Sequence, residues 1–457
     1  MRDENDTGLR TLPTARLPAG RELSPTHADD GAGRVAAGRS PAGSLAILRD
    51  AMRESEAPAD APRRAEPSLR PRVLHLLDSL AMGGKEKFTV SLACHQKRRG
   101  LDVAIARFRR ENEFESTLRE AGVPTYMLQT GGLFDHRLVR AIRCLVAREG
   151  WELVHAHNEA SIVYAALASF GGRRVPLVAT LHNGARDDYT LKNKLENRFA
   201  FARAQRIVCV ADAIAASLRE REFGPMHKVS VIANGVPEWT PPSEAELRLT
   251  RMRLEVPPDA PVVLFVGRLD PIKNLPGLLG AFRLALHDRP DAVLLLAGDG
   301  PMRAYVADVV SVLRLSSNVR LLGTRQDVAT LLGLADVFVL ASFREGHSIS
   351  LLEACSMGKA IAASARGGNP DTVSHGVSAL LFDPDEVGDM AACLTRLLRD
   401  PPLRASLGRA ALERFRAEFG MEKCHRAYAD VYGQLLGRAI ASEPPTDVAD
   451  RRLSAAG

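Results

Sequence analysis

Continuous apolar runs constrain this chain more than any other feature. Val262-Val263-Leu264-Phe265-Val266, Val293-Leu294-Leu295-Leu296-Ala297, Val337-Phe338-Val339-Leu340 and Ala360-Ile361-Ala362-Ala363 contain no polar position. A strand with one wet face alternates polar and apolar residues. A strand covered on both faces does not, and such runs mark a parallel sheet lying between layers of helices. Each run stops at glycines or polar residues, and a helical pattern follows. Residues 73–77, 103–106, 125–128, 153–158, 178–184, 207–210 and 229–236 set up the same rhythm earlier in the chain. Helical spacing is expected over 138–148, 189–204, 275–287, 386–399, 403–419 and about 422–440.

This order predicts an α/β protein of two successive Rossmann-like parallel-sheet domains facing across a cleft. Pro237, Pro241, Pro242, Pro257 and Pro258 bracket a charged helical piece at 244–254 and place the boundary between them. The expected division is a disordered tail at 1–70, a first domain at 71–238, a second at 239–420, a helix crossing back at 421–440, and a second tail at 441–457. The first tail holds no aromatic residue, since the first is Phe88. It cannot bury enough apolar surface to offset the entropy of ordering it, although 44–52 suits a short helix.

Composition excludes several classes. No run of about 18 apolar residues occurs, so no transmembrane helix is expected. The start, Met1-Arg2-Asp3-Glu4-Asn5-Asp6, lacks the apolar core of a secretory signal. The six cysteines have no metal-like spacing and read as small buried hydrophobes in a reducing cytoplasm. A formal charge of +6 favours acidic ligands or an anionic membrane face.

The loops after the strands carry the chemistry. Ligands of doubly wound sheets bind at the carboxyl ends of the strands. After the 337–340 run comes Glu345-Gly346-His347-Ser348-Ile349-Ser350-Leu351-Leu352-Glu353. Ser348 or Ser350 can cap a helix running to a stop at Gly358, leaving its first amides to face the cleft. Glu345 on the loop and Glu353 inside the helix suit hydroxyl-rich groups that flank a phosphate. Arg268 and Lys273 follow the 262–266 run and fit a diphosphate, one as a fork and one as a point charge. Gly83-Gly84 after the first run, and Gly367-Gly368 later, let backbone approach a ligand. His155, His157 and His182 end two strands. They read as a polar cleft wall, a contact to sugar hydroxyls or satisfied structural histidines; no further ligand has fitting spacing for zinc. The basic positions of 189–204 read either as a solvated face or as one resting on anionic lipid.

In this order and spacing, the set resembles the retaining glycosyltransferases of the GT-B fold, family 4. The matching pieces are Gly83-Gly84-Lys85-Glu86, His155-Ala156-His157, Thr180-Leu181-His182, residues 231–236, Gly267-Arg268-Leu269 with Lys273-Asn274, residues 297–301, and Glu345 to Glu353. The resemblance implies a nucleotide-diphosphate sugar as donor in the second domain, a glycan or lipid-linked acceptor in the first, no metal or other cofactor, and no nucleic-acid partner. It implies that Arg268 and Lys273 hold the diphosphate, Glu345 the donor sugar and Glu353 the ribose. His157 would lie near the reacting centre, and Gly84 would bring an amide to the phosphate. Backbone of His347, Ser348 and Ile349 would meet sugar or phosphate, the base would lie along Leu322 and Gly323, and His182 and Asn158 would face the acceptor. His347 and Asn158 depart from the residues frequent in the family, which leaves sugar and acceptor identity open. The activity implied is hexosyl transfer with retention in polysaccharide or glycolipid assembly, at the cytoplasmic membrane face. A non-catalytic nucleotide-sugar-binding scaffold is the alternative.

Overall fold

The computed structural model describes residues 70–128, 135–170, 174–183, 191–220 and 225–440. Apart from Arg70, the expected tails at 1–70 and 441–457, with the helix at 44–52, lie outside the described residues. So do Gly184 and the first two positions of the 189–204 helix. The first sheet is built from β1 (Arg72–Leu77), β2 (Asp102–Arg107), β3 (Thr125–Met127), β4 (Leu153–Ala156), β5 (Leu177–Leu181), β6 (Arg206–Cys209) and β7 (Val229–Val231). The second comprises β8 (Val262–Val266), β9 (Val293–Ala297), β10 (Val319–Gly323), β11 (Val337–Leu340), β12 (Ala360–Ser364) and β13 (Leu380–Phe382).

The seven strands of the first sheet run in the order β3-β2-β1-β4-β5-β6-β7, and the six of the second in the order β10-β9-β8-β11-β12-β13. Neighbours pair in parallel throughout. In each sheet the chain builds outward from one central strand, then returns to that strand's other side. The order therefore reverses between β1 and β4, and again between β8 and β11. Loops that leave neighbouring strands in opposite directions open a crevice at such a point. Gly84 and His157 follow β1 and β4, and Arg268, Lys273, Glu345 and Glu353 follow β8 and β11, whereas His182 follows β5 and Leu322 and Gly323 end β10.

The apolar runs are buried as their pattern requires. Val262, Val263, Leu264 and Phe265 of β8 and all of β11 have no exposure. Phe338 lies at the centre of this layer, paired in register with Leu264 and Ile361. Truncating it leaves a cavity that close-packed neighbours fill only in part. Phe338→Ala is expected to cost about 3–5 kcal/mol, read as a lower denaturant midpoint with an unchanged slope.

Two expectations need correction, and two helices add to them. Cys144 is exposed. In the helix His136–Glu149 the buried stripe is Leu138, Ile142, Leu145 and Val146, and position 144 falls off that helical face. The strand expected over 229–236 pairs only through Val231. Beyond it, Val236 donates its amide to the Phe419 carbonyl at 3.1 Å and accepts from Met421 at 3.0 Å, which ties the hinge, the connection at 232–243 between the two sheets, to the chain's return. Helices Asp212–Glu220 and Arg303–Val312 join the fold without having been read from the sequence; the second is rich in valine, which weakens a helical signal.

Candidate active site

One wall lies at the β8/β11 reversal. Lys273 Nζ stands 2.6 Å from Glu345 Oε1, and Ser342 donates to the same oxygen at 2.6 Å. The amide of Phe343 donates to the Ile272 carbonyl at 2.9 Å, so the two strand-end loops are stitched together. Arg268 leaves the end of β8 exposed, and its guanidinium makes no ion pair or hydrogen bond among the described residues. Ser348 is the N-cap of the helix Ile349–Ser356, its hydroxyl accepting from the Leu351 amide. That single acceptor leaves other first-turn amides for a ligand. A free guanidinium, an ammonium paired with Glu345 and a helix start thus leave adjacent strand ends, and groups of these kinds can hold an anion.

The opposite wall belongs to the first sheet. The helix Gly84–Arg98 begins at the end of the β1 loop, with no side-chain cap on its first amides. A Cβ on Gly84 would lie 3.7 Å from Ile349 Cγ1, so the two helix starts face each other across the cleft. Lys87, one turn into the first helix, pairs with Glu353 Oε1 at 2.7 Å, and only 4% of the Glu353 side chain is exposed. Its ammonium also lies 5.1 Å from the centroid of the Trp239 ring. The acid implied for ribose is thus held by a cation of the other lobe. The carbonyl of His182 comes so near Gly346 that a Cβ there would sit 1.8 Å from its oxygen.

Behind this wall lies a layer of buried histidines. His75 on β1 has His155 and His157 beside it, at ring-centroid distances of 5.1 Å each, and His182 lies 5.5 Å beyond His157. His75 is the further histidine that spacing along the sequence could not supply: β1 and β4 are neighbours in the sheet but far apart in the chain. Three of these rings come close enough to suggest a metal site. However, His75 Nδ1 and His157 Nε2 are 2.8 Å apart, whereas two nitrogens on one tetrahedral zinc stand roughly 3.3 Å apart. Their spacing is that of a hydrogen bond.

The remaining candidates divide. Asn158 caps the helix Glu159–Ala168, its side chain accepting from the Ser161 amide. The ring of His347 turns away from the helix start it precedes: its Nδ1 accepts from the Asn234 amide at 3.2 Å and its carbonyl from Asn234 Nδ2 at 3.1 Å. This residue locks the hinge to the loop through its side chain, leaving only its backbone for the cleft. Leu322 and Gly323 end β10, where the Gly323 carbonyl accepts from the Gly298 amide at 2.8 Å.

Two family patterns match successive parts of the chain, Glycosyltransferase Family 4 over 82–239 and Glycosyl transferases group 1 over 249–414. The D-inositol 3-phosphate glycosyltransferase of Thermobispora bispora is 31% identical over 323 residues, which are 64% of this chain and 73% of that one. The chain belongs to the family 4 glycosyltransferases. A second relative, the UDP-Gal:alpha-D-GlcNAc-diphosphoundecaprenol alpha-1,3-galactosyltransferase of Escherichia coli, is 26% identical over 328 residues, 70% of this chain and 82% of that one. The fold matches the crystal structure of Anabaena HepE in complex with UDP and glucose, with a TM-score of 0.72 at 23% identity, over 80% of this chain and 100% of that one.

In this glycosyltransferase, burial rather than charge decides the state of the histidines. Desolvation pushes His75 down to about 4 and His347 to about 4, and with the nearby Lys85 charge it pushes His182 to about 3. His155 and His157 are lowered well below the ordinary value for the same first reason. These rings stay neutral in the folded chain, whereas the unfolded chain protonates them below about 6.5. Stability is therefore fully present above that pH and is lost on acidification. The melting temperature is expected to hold level from pH 8 to about 6.5 and to fall as pH drops toward 4.

Proposed function

We propose that this glycosyltransferase moves a sugar from a nucleotide-diphosphate sugar to a glycan or lipid-linked acceptor, with retention of anomeric configuration. The observation that carries the reading is the β8/β11 crevice: unpaired Arg268, Lys273 and the start of the Ile349–Ser356 helix, beside Glu345 and Glu353. Arg268 and Lys273 would neutralise the diphosphate as it leaves, with backbone at Gly84, His347, Ser348 and Ile349 adding donors. Glu345 would take sugar hydroxyls, and Glu353 would exchange Lys87 for the ribose. The base would lie along Leu322 and Gly323. His157, fully buried, would act on the cleft through His182, and Asn158 would border the acceptor.

In the retaining step, the bond from C1 to the diphosphate oxygen breaks as the acceptor oxygen bonds to C1 on the same face. The departing phosphate oxygen takes the acceptor's proton, so no protein base is assigned. With two cations and a helix start already in place, no metal is required, and a chelator should leave turnover unchanged. The two relatives, named for D-inositol 3-phosphate and for a diphosphoundecaprenol-linked sugar, support a polar or lipid-linked acceptor. Among the described residues no helix is long and apolar enough to cross a membrane. Exposed Lys194 and Arg198 on the helix Leu191–Arg203 suit a peripheral contact with anionic lipid at the cytoplasmic face.

The test is turnover of UDP-, GDP- and ADP-sugars with a mixed acceptor panel, with proton NMR of the product. Release of nucleoside diphosphate and a product whose anomeric configuration equals the donor's are expected. An inverted product would overturn retention. No turnover with any donor, alongside tight donor binding, would make the chain a nucleotide-sugar-binding scaffold.

A further inference from the structure

The buried histidines form part of a longer hydrogen-bonded chain whose direction is set at one end. His75 Nε2 lies 2.8 Å from Gln96 Oε1, and Gln96 Nε2 donates to the Tyr432 hydroxyl at 3.3 Å. An amide oxygen only accepts, so His75 carries its proton on Nε2. Being neutral, it leaves Nδ1 bare, and His157 Nε2 must donate to it at 2.8 Å. His157 Nδ1 is then bare in turn and accepts from His182 Nε2 at 3.3 Å. His182 is left with a bare Nδ1, which is buried and without a partner.

The other arm runs in the same sense. Having accepted from Gln96, the Tyr432 hydroxyl donates to His155 Nδ1 at 2.6 Å, and His155 Nε2 donates to Thr180 Oγ1 at 2.7 Å. The Thr180 hydroxyl is left to donate to the Tyr428 oxygen at 3.3 Å. Both tyrosines belong to the last helix, Met421–Leu436, and have no exposure. Turning the Gln96 amide over would reverse every bond. The chain would then end in an orphan N–H at His182 Nδ1, and a buried donor without a partner is the rarer and costlier outcome.

His182 stands at the meeting of the two lobes. Its ring packs edge-on against Phe88 at 5.6 Å, and its carbonyl abuts Gly346 of the second lobe. We infer that Gln96 and Tyr432 are positioning residues that fix His157 and His182 in the Nε2–H form, so that the bare Nδ1 of His182 accepts a hydrogen bond from a hydroxyl of the substrate entering the cleft. This rests on the sugar-transfer reading for the identity of the ligand, but not for the direction of the chain.

The direction can be read in the free, full-length protein by long-range nitrogen–proton correlation with ¹⁵N-labelled histidine, the His182 signals being assigned by their loss in His182→Gln. At neutral pH, His75, His157 and His182 should each show a protonated Nε2 and a bare Nδ1. Gln96→Met keeps the length but removes the amide. It should mix the His75 and His157 tautomers and lower kcat/KM for the acceptor roughly tenfold. Gln96→Glu should restore both, because a carboxyl neutral in that buried place again offers one oxygen to accept and one hydroxyl to donate. A protonated Nδ1 on His182 in the unaltered chain would overturn the inference, as would wild-type tautomers and rate in a folded Gln96→Met. Should Gln96→Met fail to fold, the unaltered chain's tautomers decide alone. Absence of turnover with every donor would instead count against the sugar-transfer reading, and the tautomers would still be readable.

Discussion

Lys273→Ala is expected to lower turnover at least ~10²-fold, because on the proposed function it removes a preorganised cation from the place where diphosphate charge would develop. The side chain is 17% exposed and its partner Glu345 11%, so the pair works in a partly dry site where one charge counts for more than it does in water. The single variant also strips Glu345 of its cation and leaves Ser342 as the donor to that carboxylate. Lys273→Ala combined with Glu345→Gln separates the two effects. If Lys273 serves the leaving group, the double variant is at least ~10²-fold slower than Glu345→Gln alone, which has lost only the glutamate's hold on the sugar. Equal turnover in the double variant and in Glu345→Gln would mean that the lysine matters only as company for the glutamate. The measurement is steady-state release of nucleoside diphosphate at saturating donor, with the melting temperature recorded for each variant.

Gly346→Ala is expected to cost a further loss of similar size, about 10²-fold in transfer, by a different route. The new Cβ would lie 1.8 Å from the His182 carbonyl oxygen and 3.4 Å from Ile214 Cδ1. The first of these is backbone of the opposite lobe, which cannot rotate away as a flexible side chain could. Either the lobes part or the 341–348 loop shifts, and each moves the donor wall relative to the acceptor wall. Binding of the nucleotide to the second lobe should suffer much less than transfer. Comparing the variant's nucleoside-diphosphate affinity with its transfer rate checks this; equal losses in both would show that the substitution damages the donor wall alone.

Much of this was legible in the sequence because it is local. An unbroken apolar run such as 262–266 can be satisfied only by cover on both faces, and the loop that follows must then lie at a strand end. Lys273 and Glu345 meet for that reason, and Arg268 and Glu353 lie on the same two strand-end connections. What the sequence concealed depends on strand order and on the approach of the lobes. His75 joins His155 and His157 because the chain returns to β1 after β3, a choice that no local pattern encodes. Lys87 meets Glu353 because two helix starts face each other across the cleft, and the hold of His347 on Asn234 appears only once the hinge has folded back. The exposure of Cys144 was readable in principle from the stripe Leu138, Ile142, Leu145 and Val146, which excludes it.

The account depends on the cleft gripping a diphosphate between Arg268, Lys273 and the Ile349–Ser356 helix start. Calorimetric titration of UDP, GDP and ADP, each against its monophosphate, into the unaltered chain and into Arg268→Ala/Lys273→Ala tests that most directly. At least one diphosphate should bind the unaltered chain more tightly than its monophosphate does, and the double variant should lose that preference while keeping its fold. Equal affinity for mono- and diphosphate in the unaltered chain, or an undiminished preference in the double variant, would contradict it.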